Sequence, residues 1–281
     1  MAELPDYDLK TADEPQFIEP PITSRGPIFV ALIVVVILGA IAAYVFYTTR
    51  HPASPPQTAA RSAESPQAAA RPLGGTPEAI TVPPLDESDG VVRDLVRKIT
   101  IHPAVQAWLT TNGLVRNFAV VVQNLFEGVT PARHLRVLQP KAPFKVLDRN
   151  GQLFIDPQNY ERYDGVGDAA ASLDPAASAR VYATLKPRIE EAYSQLGGQP
   201  GSLDRALERA IVSLLQVRAI DGPVRVEPKG GTAYQYADPN LEKLTAAQKQ
   251  LLRTGPRNVR MIQSALRQIA VALGIPQDRL P

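Results

Sequence analysis

Residues 28–47, IFVALIVVVILGAIAAYVFY, form a run of twenty without one charged side chain. As a helix rising 1.5 Å per residue, such a run spans about the 30 Å hydrocarbon core of a bilayer. Tyr44 and Tyr47 fall near one end, where amphipathic rings favour the membrane–water interface. A soluble helix buried in a core rarely lacks a polar face over five turns, so the run reads as a single transmembrane helix. Ala40-Ile41-Ala42 resembles a signal-peptidase site, but the 27 preceding residues carry six acids and only Lys10 and Arg25, which is not a basic n-region. An uncleaved signal-anchor is expected. Lys10 and Arg25 on one side balance Arg50 and Arg61 on the other, so the positive-inside rule ties. The lysine-free, Pro/Ala-rich style of the following segment tips the expectation toward a cytoplasmic N-terminus and a large C-terminal part outside the inner membrane, in the periplasm.

The chain divides into a short acidic leader (1–27), the span (28–47), a linker (48–84) and a domain (85–281). The linker holds eight Pro and eight Ala and shows no apolar periodicity, so it cannot bury enough surface to offset its ordering entropy and is expected to be disordered. Net charge is −4 for the leader, +1 for the linker and +5 for the domain. That is well short of the concentrated charge of a dedicated DNA binder. With no cysteine in the chain, disulfides, thiolate metal sites and cysteine nucleophiles are excluded.

The domain reads as mainly α, a multi-helical fold with one or two short β-hairpins. Val92, Leu95 and Ile99 make a first stripe; His102-Pro103 opens a short helix toward Asn112-Gly113; Leu114 to Phe126 continue to Gly128. Asp174-Pro175 and Asp238-Pro239 repeat a cap followed by Pro at the first helical position, the second launching a helix to Arg253. Pro187 should kink or divide the helix that runs to Gly197-Gly198, and Ser202 should cap the next. PFKVLDRNGQLFID alternates around Asn150-Gly151, and GPVRVEPKGGTAYQYAD around Gly230-Gly231.

In QKQLLRTGPRNVRMIQ, residues 248–263, Lys249, Arg253, Arg257 and Arg260 crowd around a Gly-Pro break. Beyond it Val259, Ile262, Leu266, Ile269 and Leu273 step by three and four, one apolar stripe for the domain core or for a partner helix, through which the chain could oligomerise. Arg257 lies in a first helical turn, where the macrodipole disfavours cations. An Asp or Glu of the domain, or a bound anion, would answer it. A second candidate ligand loop is Tyr160, Arg162, Tyr163 and Asp164, whose rings could stack on sugars beside the acids Asp156, Glu161, Asp164 and Asp168.

The run YADPNLEKLTAAQKQLLRTGPRNVRMIQSALRQIA resembles the C-terminal hallmark of a bacterial single-pass membrane-protein family known as domain of unknown function 3014. PLDESDGVVRDLV, APFKV, YERYD at Tyr160–Asp164 and YATLKPRIEEAYSQLG are similar to further pieces of it. The resemblance covers essentially residues 85–281. It implies the layout of leader, anchor, linker and exported domain, and carries no activity, cofactor or catalytic residue.

The three histidines, His51, His102 and His134, are not spaced as ligands, and neither a G-x-S-x-G elbow nor a P-loop is present, so no metal or other cofactor is expected. The expectation is a binding or scaffolding module engaging an envelope protein or the cell wall through the basic helix pair and the tyrosine-rich loop. Two alternatives stay open: a tethered glycan hydrolase using the acidic cluster, and a cytoplasmic domain contacting nucleic acid through the arginines.

Overall fold

The computed structural model describes residues 72–199, 201–230 and 233–281; the leader, the apolar run 28–47 and linker residues 48–71 lie outside them. No helix among the described residues is long and apolar enough to cross a membrane. Those residues form ten α-helices and one four-stranded antiparallel sheet.

Helix α1 (Asp89–Ile99) buries Val92 and Leu95 on the face its spacing marks out. The short α2 (Pro103–Trp108) starts where His102 Nδ1 accepts a bond from Ala104 N at 3.2 Å. Helix α3 (Leu114–Phe126) follows Gly113, whose φ of +67° places it in the left-handed region that favours glycine. Its first amides are capped from a distance: the Asp89 carboxylate accepts from Gly113 N at 2.7 Å and Leu114 N at 2.8 Å. That tie fixes α3 against α1 and satisfies donors that a helix start otherwise leaves open.

Two short helices, α4 (Gln158–Glu161) and α5 (Asp164–Ala171), precede the long α6 (Pro175–Gln195), where Asp174 Oδ1 accepts from Ala177 N at 2.6 Å. Pro187 does not divide α6, which runs unbroken past it because its packed face holds both halves together. Helix α7 (Leu203–Leu215) departs from the expected cap: the Ser202 hydroxyl turns back to donate to Gln199 O at 2.6 Å. The helix expected from Asp238 to Arg253 is two, α8 (Pro239–Glu242) and α9 (Ala246–Leu252), because Thr245 and Gln248 form a reciprocal capping box that starts a second helix. The last, α10 (Pro256–Ala272), packs on α5, α6 and α7.

Both expected hairpins are present. Strands β1 (Val146–Arg149) and β2 (Gln152–Ile155) turn through Asn150 and Gly151, with φ of +55° and +77°, values that suit a primed two-residue turn. Strands β3 (Arg225–Gly230) and β4 (Ala233–Tyr236) form the other. What the local pattern does not contain is their union. Leu153 pairs with Val226 and Phe154 with Arg225, so hairpins some seventy residues apart in the chain close into a single sheet ordered β1-β2-β3-β4.

Two apolar clusters result. One joins α1, α3, α6 and α7 around Leu95, Leu114, Leu185 and Ile189; the other packs the sheet's Ile155, Val226 and Tyr236 on Leu251 and Leu252. Helix α10 serves both: Val259 and Ile262 lie in the sheet cluster, Leu266, Ile269 and Leu273 in the helical one. Its apolar stripe is thereby used inside the fold.

Residues 72–84, assigned above to the linker, are held against the helices. Leu73 is buried; Leu73 N donates to Asp204 Oδ2 at 3.0 Å, Gly74 N to Leu273 O at 2.9 Å and Glu78 N to Thr184 Oγ1 at 2.9 Å. Arg188 Nε reaches Pro83 O at 2.8 Å. The folded unit therefore takes in this strap, since an extended segment satisfies its amides on helix side chains and termini as well as on a sheet.

Candidate functional site

The two stretches singled out by sequence meet. Tyr160 and Asp164, from α4 and the start of α5, lie against Gly255 and Asn258 at the start of α10. Asn258 is 1% exposed, and its Nδ2 faces three acceptors: Asp164 Oδ1 at 2.9 Å, Thr254 O at 3.0 Å and Tyr160 O at 3.1 Å. Its Oδ1 accepts from Arg257 Nη1 at 2.9 Å. Glycine makes the approach possible. A Cβ on Gly167 would lie 2.5 Å from Asn258 Oδ1, and one on Gly255 (φ +86°) would run into the Tyr160 ring. Burial raises the Tyr160 phenol above its ordinary pKa.

Arg257 finds the internal answer. Its guanidinium bonds Asp168 Oδ1 at 2.9 Å and lies 3.4 Å from Asp164 Oδ1, so carboxylates of α5 neutralise the cation at the start of α10. Arg260 pairs with Asp221, and Lys249 with Glu242 at 3.0 Å. Lys249 also donates to Glu242 O at 2.9 Å, and its hydrogen bond holds the Glu242 carboxyl below the usual carboxylate range. Arg253 is exposed and lies near Tyr236. The Tyr236 hydroxyl is buried with no hydrogen-bond partner among the described residues, and burial pushes its pKa up to about 12 against the electrostatic pull of Arg253. The four cations are thus not gathered on one anion; three are engaged by three different sets of acids.

In the tyrosine loop, Arg162 is a structural strut. Its guanidinium donates to Ala142 O at 2.6 Å and Asn159 O at 3.1 Å while stacking over Phe144 and Tyr163. Of the acids, Asp156 accepts from Gln158 N, and Asp164 and Asp168, with side chains 43% and 46% exposed, share Arg257. A glycosidase acid needs an apolar pocket to hold its proton. These carboxylates sit at the surface with a guanidinium between them.

The concave feature lies elsewhere, within the helical cluster. A cavity of about 400 Å³ is bounded by Val92 and Val96 of α1, Trp108 of α2, Val181, Leu185 and Ile189 of α6, Leu266 and Ile269 of α10, and Leu273 just past it. No charged side chain lines it, and its polar side chains are Trp108, Ser178 and Tyr182. The Tyr182 hydroxyl donates to Asp204 Oδ1 at 2.7 Å, so it is already satisfied; burial, chiefly, raises its pKa far above the ordinary value. Trp108 Nε1 is buried with no partner among the described residues. Ligand pockets are commonly apolar hollows of this size with few polar groups. Helical periodicity shows which residues point inward, but not whether they meet, so this site was not legible in the sequence.

A family profile described as "Protein of unknown function (DUF3014)" matches residues 114–270. That is more than half of the 281-residue chain, and the chain belongs to this family. The matched stretch contains both halves of the Tyr160–Asn258 junction and most of the cavity wall. No curated protein and no solved structure matches the chain.

Proposed function

We propose that this protein is a membrane-tethered binding module whose folded unit takes up an apolar molecule between its helices. The cavity carries the reading: it is large, lined by hydrocarbon, and flanked by part-buried residues of α2 and the turns after α3. The uncharged run 28–47 and the acidic leader support a single-pass anchor in the inner membrane, with the binding unit on the periplasmic side, beyond the Pro/Ala-rich linker. Protease added to intact spheroplasts should then remove the C-terminal unit while a cytoplasmic control survives; protection that persists after lysis reports only a resistant fold, and protection lost on lysis would reverse the orientation.

Trp108 is the single tryptophan of the chain and lines the cavity, so its fluorescence reports on that place alone. With the full chain in nanodiscs, 1-bromododecane should quench Trp108 saturably, and Val181→Phe, which projects a ring into the same volume, should suppress the quenching. Equal quenching in both proteins would sink the reading.

A further inference from the structure

We infer that the ligand is a single-chain amphiphile with an anionic headgroup, its chain in the cavity and its headgroup at the basic turn Arg133–Arg136; this rests on the binding reading above. Volume sets the number of chains. A cavity of about 150 Å³ holds one six-carbon benzene ring, so about 400 Å³ has room for roughly sixteen carbons, one acyl chain and not two. The lining sets the chemistry inside. With no charged group and its tyrosine hydroxyl already bonded, the wall accepts hydrocarbon and penalises any polar group lacking a partner.

The edge sets the headgroup. Between α3 and β1 the chain makes two short 3-10 turns, Ala132–His134 and Arg136–Leu138. Leu135 and Leu138 line the cavity, whereas Arg133 and Arg136, also three residues apart, are exposed. The two turns thus present leucine to the cavity and arginine to solvent. The turn is clamped by Gln139 Nε2 donating to Ala132 O at 2.7 Å. From residue 128 to 147 there is no acid, while Arg133, His134, Arg136, Lys141 and Lys145 all fall there. Unlike Arg257 and Arg260, neither Arg133 nor Arg136 forms an ion pair among the described residues.

Charges on α1 and at the start of α6 are engaged within the fold. Lys98 pairs with Glu78 at 2.8 Å, Arg97 with Asp94 at 3.1 Å, and Asp174 caps α6. The buried Trp108 N–H, on the neighbouring α2, supplies one further donor without an acceptor. Paired, fork-shaped guanidinium groups suit a carboxylate or a phosphate.

The test uses the full chain in nanodiscs of zwitterionic lipid, reading Trp108 quenching by 9,10-dibromostearate and by its methyl ester. The acid should bind on the order of tenfold tighter than the ester, about 1.4 kcal/mol. Arg133→Gln combined with Arg136→Gln should bring the acid to the level of the ester and leave the ester unchanged, which also shows that the variant is folded. Equal binding of acid and ester to the unsubstituted chain, or a preference that survives the double substitution, overturns the headgroup assignment while leaving the cavity reading standing. Stronger quenching by a two-chain brominated phosphatidylglycerol than by the acid overturns the single-chain assignment. No quenching by either stearate probe or by 1-bromododecane removes both readings together.

Discussion

At the residue scale the fold turns on Asn258. It is buried, and it ties the start of α10 to Tyr160 and Asp164 through one amide. Asn258→Ala would strand a buried carbonyl and leave Arg257 to hold α5 alone, so it should lower stability by about 2–3 kcal/mol in chemical denaturation. Gly255→Ala should cost more than an ordinary glycine substitution, because it meets both a positive φ and the Tyr160 ring. The same measurement ranks the two, and an Asn258→Ala protein as stable as the parent would show that the junction contributes nothing to stability. Glu242 adds a pH dependence. Its folded pKa is lowered by Lys249, so its stabilisation is present above the unfolded carboxylate pKa and fades as pH falls through the folded one. Glu242→Gln should therefore cost about 0.5–1 kcal/mol at pH 7 and little once the parent's carboxyl is protonated, a gap that denaturation at several pH values reads directly. Tyr236 acts at the other end: its folded pKa near 12 means the unfolded chain loses that proton first, so stability falls as pH climbs from about 10.

At the element scale most boundaries were written locally. Asp174-Pro175, Asp238-Pro239 and Asn150-Gly151 each do what their side chains and dihedrals dictate, because a cap or a two-residue turn is settled within four residues. Thr245 falls within the single helix expected from Asp238 to Arg253, yet threonine followed three residues later by glutamine is itself a start signal, and it begins α9. Pro187 is expected to kink or divide its helix, and it does not divide it, since a 21-residue helix packed on α1, α3 and α10 tolerates the loss of one hydrogen bond. Thr245→Ala should cost about 1 kcal/mol and loosen α9, seen as faster amide exchange confined to residues 246–252.

At the scale of the whole molecule, the strap 72–84 and the cavity are properties of assembly. Leu73→Ala removes a buried side chain that anchors the strap and should cost about 2–3 kcal/mol; a change under about 0.5 kcal/mol would show that the strap is not part of the cooperative unit. The basic cluster around Gly255-Pro256 was visible as a cluster in the sequence, yet its meaning was not. Whether Arg257 faces an external anion or Asp168 depends on a contact between residues 89 positions apart, which no local pattern encodes. The opposite happened at Arg133 and Arg136. No local pattern marks them; their place follows from Leu135 and Leu138 lining the cavity and from neither arginine forming an ion pair among the described residues.

What the sequence by itself determined is the mainly helical character of the folded unit, most helix starts, both hairpins and the residues that face inward, since caps, turns and periodicity act within a few residues. The tertiary structure alone decided that the hairpins form one sheet, that the α10 stripe is divided between two cores, that three of the four cations around Gly255-Pro256 meet the protein's own carboxylates, and that seven helices contribute to the wall of one hollow. Those outcomes depend on which apolar faces meet and how completely their side chains fill the space between them, and that is set by shape across the whole domain and not by pattern along the chain.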